Sequence, residues 1–460
     1  MSLPPRVGLL RNNALLFWGL ILFLSLLALT FLLLNVPAGF PQPQFWSPRP
    51  NHSVEVSTLY RQSLSLPEIS IRQDAFHTLH VLLLVVAFVA YLGAIKSISA
   101  ELPWRLVLAV TALILMVLVF LPPLYATDVF YYAISGQISG GFHANPYLQP
   151  PASFPNSPLL PFNYWIDITT PYGPVWTLIA AAMAFLANAD PFWTTILFKT
   201  LGALAVLVGA FFIYTVLKNT RPKTAAKGTL LFLWNPVVLL EGIGNAHNDI
   251  LITALVLVAA WMLMSRKRVL GFIALLLATW VKYLTAPLAA FDLLVRLRSR
   301  RWKEFAILLV LGAVLTLMLW LPFWTGFGTL SSLVAESTRG LSGPIPFTLA
   351  LLSRFLPFLQ PALPALALTI TVAALFAAVF WGIKHIWGMW RAGPAYSPLA
   401  EVTAWGTIAA LIPLLLPRAH PWFLLPALGL LAVVWPQVPR RTLVVYVLAG
   451  LWFLIRAGTW

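Results

Sequence analysis

The chain has 460 residues, of which 60% are apolar and 9% charged, with a net charge of +16 and no cysteine. Soluble domains are about one-quarter charged, so this composition excludes a soluble enzyme and reads as an all-α polytopic membrane protein, one integral-membrane unit over 1–460. The missing cysteines exclude disulfides, thiolate nucleophiles and cysteine metal sites. The basic residues sit in short loops beside apolar spans, which sets topology and touches anionic lipid heads and excludes a nucleic-acid face.

Residues 14–34 are apolar and follow Arg6 and Arg11 with no small-residue cleavage site after them. They read as an uncleaved signal anchor with a cytoplasmic N-terminus. The Pro-rich segment 35–75 is then outside, and spans at 76–95 and 105–124 follow. From residue 106 to 198 there is no lysine or arginine, which marks extracytoplasmic chain. The loop 125–192 therefore lies outside. Its apolar run 174–188 is too short to cross, since spanning takes about 20 residues. A crossing there would also put Lys218–Lys227 on the wrong side, so the run reads as an interfacial or re-entrant helix. Span 193–217 returns inward, 229–241 goes out and 249–264 comes back. The stretch 269–297 is interrupted at Trp280-Val-Lys282 and reads as two short membrane helices meeting at a cavity. Further spans are expected at 304–323, 362–383, 400–416, 422–435 and 442–456, with an outer loop over 325–360. The total is about 13 spans.

Asp128, with Tyr131 and Tyr132, stands where a span surfaces. An acid there is either a general base at the membrane surface or a helix N-cap. The stretch Trp234-Asn235-Pro236 to Glu241, Asn245, His247, Asn248 and Asp249 puts polar groups between two spans. It suits recognition of substrate hydroxyls or support of a second acid; the structural alternative is a polar hairpin whose Asn248 and Asp249 cap the next helix. His247 and Asp249 alone make no metal site. Lys282 either snorkels or faces a polar ligand such as a phosphate. Arg418 and His420 form a basic pair at an outer turn, serving either an anionic ligand or lipid heads with Trp422 as anchor. Thr169-Thr-Pro-Tyr172-Gly-Pro174 is a rigid turn by residue type.

Together, Asp128-Val-Phe-Tyr131-Tyr132 with Gly136, Asn145-Pro146-Tyr147, Thr170-Pro-Tyr172-Gly173-Pro, Asn235-Pro236 and His247-Asn248-Asp249 resemble the bacterial polyprenyl-phosphomannose-dependent α-1,6-mannosyltransferases of the GT-C superfamily of integral-membrane glycosyltransferases. Lys282 and His420-Pro-Trp422 resemble positions in the wider superfamily. The likeness runs over about 76–435; the loop after Asn145 is short for the family, and 35–75 matches nothing in it. The resemblance implies an inverting transfer of mannose from a polyprenyl-phosphate donor to a glycan or glycolipid acceptor at the outer face of the plasma membrane. Asp128 would be the base. Tyr131, Tyr132, Asn145, Tyr172, Glu241, His247, Asn248 and Asp249 would hold sugar, and Lys282, Arg418 and His420 the carrier phosphate. A divalent metal is compatible with this chemistry but no ligand cluster requires one. The alternatives are transfer of another lipid-linked sugar, glucose or arabinofuranose, and a transporter or lipid flippase.

Overall fold

The computed structural model describes residues 5–39, 52–98, 102–123, 125–333, 397–416 and 418–458, with short pieces between 349 and 391. Every described element is helical. The helices are α1 (Pro5–Leu33), α2 (His52–Ser63), α3 (Gln73–Ser97), α4 (Trp104–Val119), α5 (Asp128–Gly140), α6 (Pro174–Leu186), α7 (Pro191–Thr220) and α8 (Ala225–Leu233). Then come α9 (Pro236–Leu239), α10 (Asp249–Met264), α11 (Arg268–Val281), α12 (Ala286–Arg298), α13 (Trp302–Trp320), α14 (Pro398–Leu415), α15 (Leu425–Val434) and α16 (Pro439–Gly458).

Their ends follow from side-chain chemistry. Asp190 caps α7 by accepting from the Trp193 amide at 2.8 Å, with Pro191 at the first helical position. Asn235 caps α9, accepting from Val237 N at 2.8 Å, again with proline next. That cap bends the path by 49° between α8 and the α9 segment, so the expected span 229–241 is a broken one. Four stretches are long and apolar enough to cross a membrane: Leu10–Leu33, Gln73–Ser97, Pro191–Thr220 and Trp302–Trp320, or five with the bent pair Pro222–Leu233 and Pro236–Gly244 joined. This is a multi-pass membrane protein, but the expected count of about 13 spans is not reached among the described residues. Helices such as α4, α10 and α11, at 16, 16 and 14 residues, fall short of the roughly 20 that a bilayer requires. Prolines 122 and 123 stand three and four positions past the end of α4, and Lys282 is extended after α11. The span expected at 362–383 and most of the loop at 325–360 lie outside the described residues.

The interior is built around α15, buried along its whole length, with α10, α14, α7 and α8 packed against it. The described part of 35–75 is not loose: α2 buries Val56 and Tyr60, and the Tyr60 hydroxyl meets Thr195 of α7 at 2.7 Å. As expected, 269–297 is two helices meeting at Lys282.

Candidate active site

Three breaks in the helical pattern meet at one place. The first is the start of α5, which puts Asp128 in its opening turn. The second is a π-helical turn, Leu240–Gly244, that carries Glu241. Such turns recur at functional positions because they displace a side chain from the regular helical ladder. Gly202 of α7 lets this turn approach, since a Cβ there would lie 2.5 Å from the Gly242 carbonyl oxygen. Lys199, fully buried in α7, donates to the carbonyls of Leu121 and Gly244 and so ties the turn to the end of α4. Just past it, Ala246 sits at φ 55°, a left-handed conformation that costs an alanine about 1 kcal/mol or more. That kink presents His247. The third break is the extended residue Lys282 between α11 and α12. The turn at Thr170–Gly173 docks on it: Gly173 N donates to Val281 O at 3.1 Å, and a Cβ on Gly173 would lie 2.1 Å from the Trp280 carbonyl oxygen. The rigid turn therefore has a structural task, holding the outer loop to the α11 break.

Asp128 Oδ1 accepts from the Trp165 indole at 3.3 Å, and its Oδ2 is 3.7 Å from His247 Nδ1. Neither Thr127 nor Asn248 makes a side-chain cap bond, so the capping explanation of these motifs is not realised. On its other edge His247 Nε2 is 3.3 Å from Glu241 Oε2, which accepts from Asn245 Nδ2 at 2.8 Å. Asp249, fully buried, accepts from Lys282 Nζ at 2.7 Å.

The cations are interleaved with these acids, Lys282 through its pair with Asp249. Arg418 lies over the Trp165 ring at 5.0 Å, and Lys282 over the Phe423 ring at 3.9 Å. Arg456 Nη1 is 2.5 Å from His420 Nδ1. The indole of Trp422 joins the two groups, with His247 stacked on it at 3.7 Å and His420 at 4.3 Å. Burial first, then the charges of Arg456, Arg418 and Lys282, push His420 well below its ordinary value. At neutral pH its ring is thus uncharged, and with Nδ1 accepting from arginine its proton is on Nε2. Burial, then Tyr132 and Asp128, push the Tyr172 phenol well above its ordinary value, so it remains a hydroxyl donor.

Most of the residues singled out from sequence converge here. Tyr132 packs edge-on against Tyr172 at 5.1 Å. Both side-chain polar atoms of buried Asn248, and Oδ1 of Asn245 and of Asp249, make no hydrogen bond. Buried polar atoms are nearly always paired, so this unsatisfied cluster makes the place a candidate binding site. Asn145 is turned elsewhere, bonding Phe323 O at 2.8 Å and Tyr147 N at 3.0 Å, and Tyr131 donates to Ile168 O at 3.0 Å. These two shape the outer loop. Sequence reasoning missed Arg456, Trp165 and Lys199. An arginine in the last turn of an apolar run looks like a span terminus, a loop tryptophan like an interface anchor, and Lys199 like the end of a stretch without lysine or arginine. Only the first carried a signal: Arg456 is a cation on the side opposite the expected cytoplasmic loops. Among the described residues no three His, Cys, Asp or Glu side chains are arranged to hold a metal ion.

Asp128, the cations and the stacked rings of His247, Trp422 and His420 thus form one polar cluster inside a multi-pass helical protein. The family described as "Alpha-(1->6)-mannopyranosyltransferase, N-terminal domain" matches residues 49–298. The chain belongs to that family. It is 26% identical over 171 residues to alpha-(1->6)-mannopyranosyltransferase A of Corynebacterium glutamicum, covering 36% of this chain and 34% of the relative. It is 24% identical over 267 residues to the protein of that name from Mycobacterium tuberculosis, covering 56% and 51%. The chain thus spans about a third to a half of the length of these curated relatives. No solved structure matches it. The matched region holds Asp128, Glu241, His247, Asp249 and Lys282 but ends before Arg418, His420 and Arg456.

Proposed function

We propose that the protein is a membrane glycosyltransferase that moves mannose from a polyprenyl-phosphate donor to a glycan or glycolipid acceptor. The transfer takes place at the extracytoplasmic face of the plasma membrane, with the N-terminus in the cytoplasm. The observation that carries this reading is the convergence of a partly exposed acid with basic groups around the Trp165 and Trp422 rings: Asp128 accepts from the Trp165 indole, Arg418 lies over that ring, Lys282 lies over Phe423, and the Arg456–His420 pair stands at Trp422. Displacement at a sugar phosphate needs a proton acceptor at the incoming oxygen and positive charge at the leaving one.

Asp128 accepts the proton of the acceptor hydroxyl, and that oxygen attacks the anomeric carbon with inversion. The bond to phosphate breaks and polyprenyl phosphate leaves. Arg418 and Lys282 neutralise it, and His420 donates from Nε2 to a phosphate oxygen, backed by Arg456. Tyr172, Asn248 and Asn245 offer hydrogen-bonding groups to sugar hydroxyls. The test supplies membranes with radiolabelled polyprenyl-phosphomannose and GDP-mannose as competing donors. Label from the lipid donor enters glycan, and Asp128→Asn reduces that transfer by about a hundredfold or more, the scale of a positioned base. Incorporation from GDP-mannose alone, or near-normal turnover by Asp128→Asn, rules the assignment out.

A further inference from the structure

His247 is an odd residue to leave as a sugar contact. It has no exposed surface, and neither ring nitrogen makes a hydrogen bond. Both nitrogens instead face carboxylates, Asp128 Oδ2 at 3.7 Å and Glu241 Oε2 at 3.3 Å. Its plane is set by Trp422, stacked within 12° of parallel, and its backbone by the strained Ala246 before it. Glu241 is 1% exposed and held by Asn245. A carboxylate buried that deeply behind an imidazole has no route to substrate except through the ring. Resting on the function proposed above, we infer that His247, with Glu241 behind it, takes over the proton that Asp128 removes from the acceptor.

The geometry orders the steps. Asp128 Oδ1 is occupied by the Trp165 N–H, so the incoming proton goes to Oδ2, the oxygen that faces His247 Nδ1. The relay uses the tautomer with its proton on Nε2 toward Glu241 and its lone pair on Nδ1 toward Asp128. The acceptor O–H bond breaks as the new bond from oxygen to the anomeric carbon forms. The bond from that carbon to the phosphate oxygen breaks, and its electron pair leaves with the carrier. The proton passes from Oδ2 to Nδ1, giving an imidazolium between Asp128 and Glu241 and stacked on the Trp422 indole. Asp128 is again an anion beside the product. After release the proton returns through Asp128, 17% exposed, to water. A separation of 3.7 Å is long for a hydrogen bond, and such pairs commonly tighten when substrate is bound. Glu241 and His247 act here through Asp128 and touch no substrate atom, unlike the sugar-holding role that the family likeness suggests for them.

The experiment is a double-mutant comparison in purified full-length protein with radiolabelled polyprenyl-phosphomannose. Parent and Asp128→Asn are measured first; an inactive parent, or an active Asp128→Asn, refutes the functional reading itself. With those as proposed, His247→Gln lowers kcat about a hundredfold and leaves KM for donor and acceptor within about threefold. Glu241→Gln, nearly isosteric, lowers kcat about tenfold with the same KM pattern. The combined Asp128→Asn/His247→Gln enzyme is no more than about threefold slower than Asp128→Asn alone, because groups that act as one unit are non-additive. The relay is overturned if the two losses multiply, if KM rises while kcat holds, or if His247→Gln turns over like the parent. Loss of folded protein in both His247→Gln and Glu241→Gln assigns these residues to the fold and overturns it as well.

Discussion

Lys282→Met should unfold the site before it tells anything about phosphate. The methionine retains the apolar stem and deletes the charge. In the structure Nζ is 2.7 Å from Asp249 Oδ2, the Asp249 side chain is 0% exposed, and its Oδ1 has no hydrogen-bond partner. Removing the ammonium therefore strands a carboxylate at the start of α10 with nothing to replace the lost contact. Taking one member from a buried ion pair costs about 3–5 kcal/mol, because the remaining charge is desolvated and unpaired. Lys282 retains 15% exposure, which lets water reach its side of the pair and places the expectation near 3 kcal/mol. Asp249→Asn in the same chain removes the stranded charge, so the double variant should regain most of the loss. The assay is thermal unfolding in detergent of parent, both single variants and the double, with coupling read from the cycle. A melting midpoint several degrees lower for Lys282→Met, largely restored in the double, is the expected result. If Lys282→Met melts with the parent and loses only transfer, the pairing with Asp249 is energetically idle, and Lys282 serves the carrier phosphate alone.

Three further outcomes follow from other parts of the structure. Gly173→Ala puts a methyl 2.1 Å from the Trp280 carbonyl and should cost about 1–3 kcal/mol, visible as a lowered melting midpoint; an unchanged midpoint would mean that the outer loop is not docked on the α11 break. His420 titrates well below its ordinary value in the folded protein, so the unfolded chain binds the extra proton and stability declines as pH falls below about 6.5, by up to about 1.4 kcal/mol per pH unit. His420→Gln should flatten the fall in melting midpoint between neutral and acidic buffer, and a slope equal to the parent's would refute it. A cysteine at Asn188 in this cysteine-free chain should react with an impermeant thiol reagent from outside the cell, since Lys218–Lys227 belongs inside; labelling only after permeabilisation would reverse the orientation.

The apolar content, the clustering of basic residues and the run lengths determined that this chain is a multi-pass helical membrane protein, because the bilayer leaves only that solution to its backbone hydrogen bonds. Asp128, the 241–249 stretch and Lys282 were legible for the same reason: a polar group beside an apolar span is costly unless used. The break at Lys282 could be read from its place in the stretch 269–297. Periodicity could not give span counts, because π turns, proline stops and capped bends shorten helices according to what they pack against. Nor could it give partners. Asp249 and Lys282 are 33 positions apart, and Arg456 reaches His420 from 36 positions away. Such pairs depend on how α10 packs on α11 and how α16 lies against the turn at 421–424, which no local pattern encodes. Tertiary packing alone decided that His247 and His420 both stack on Trp422 and that Lys282 meets Asp249 there, since only neighbours in space feel each other's charge.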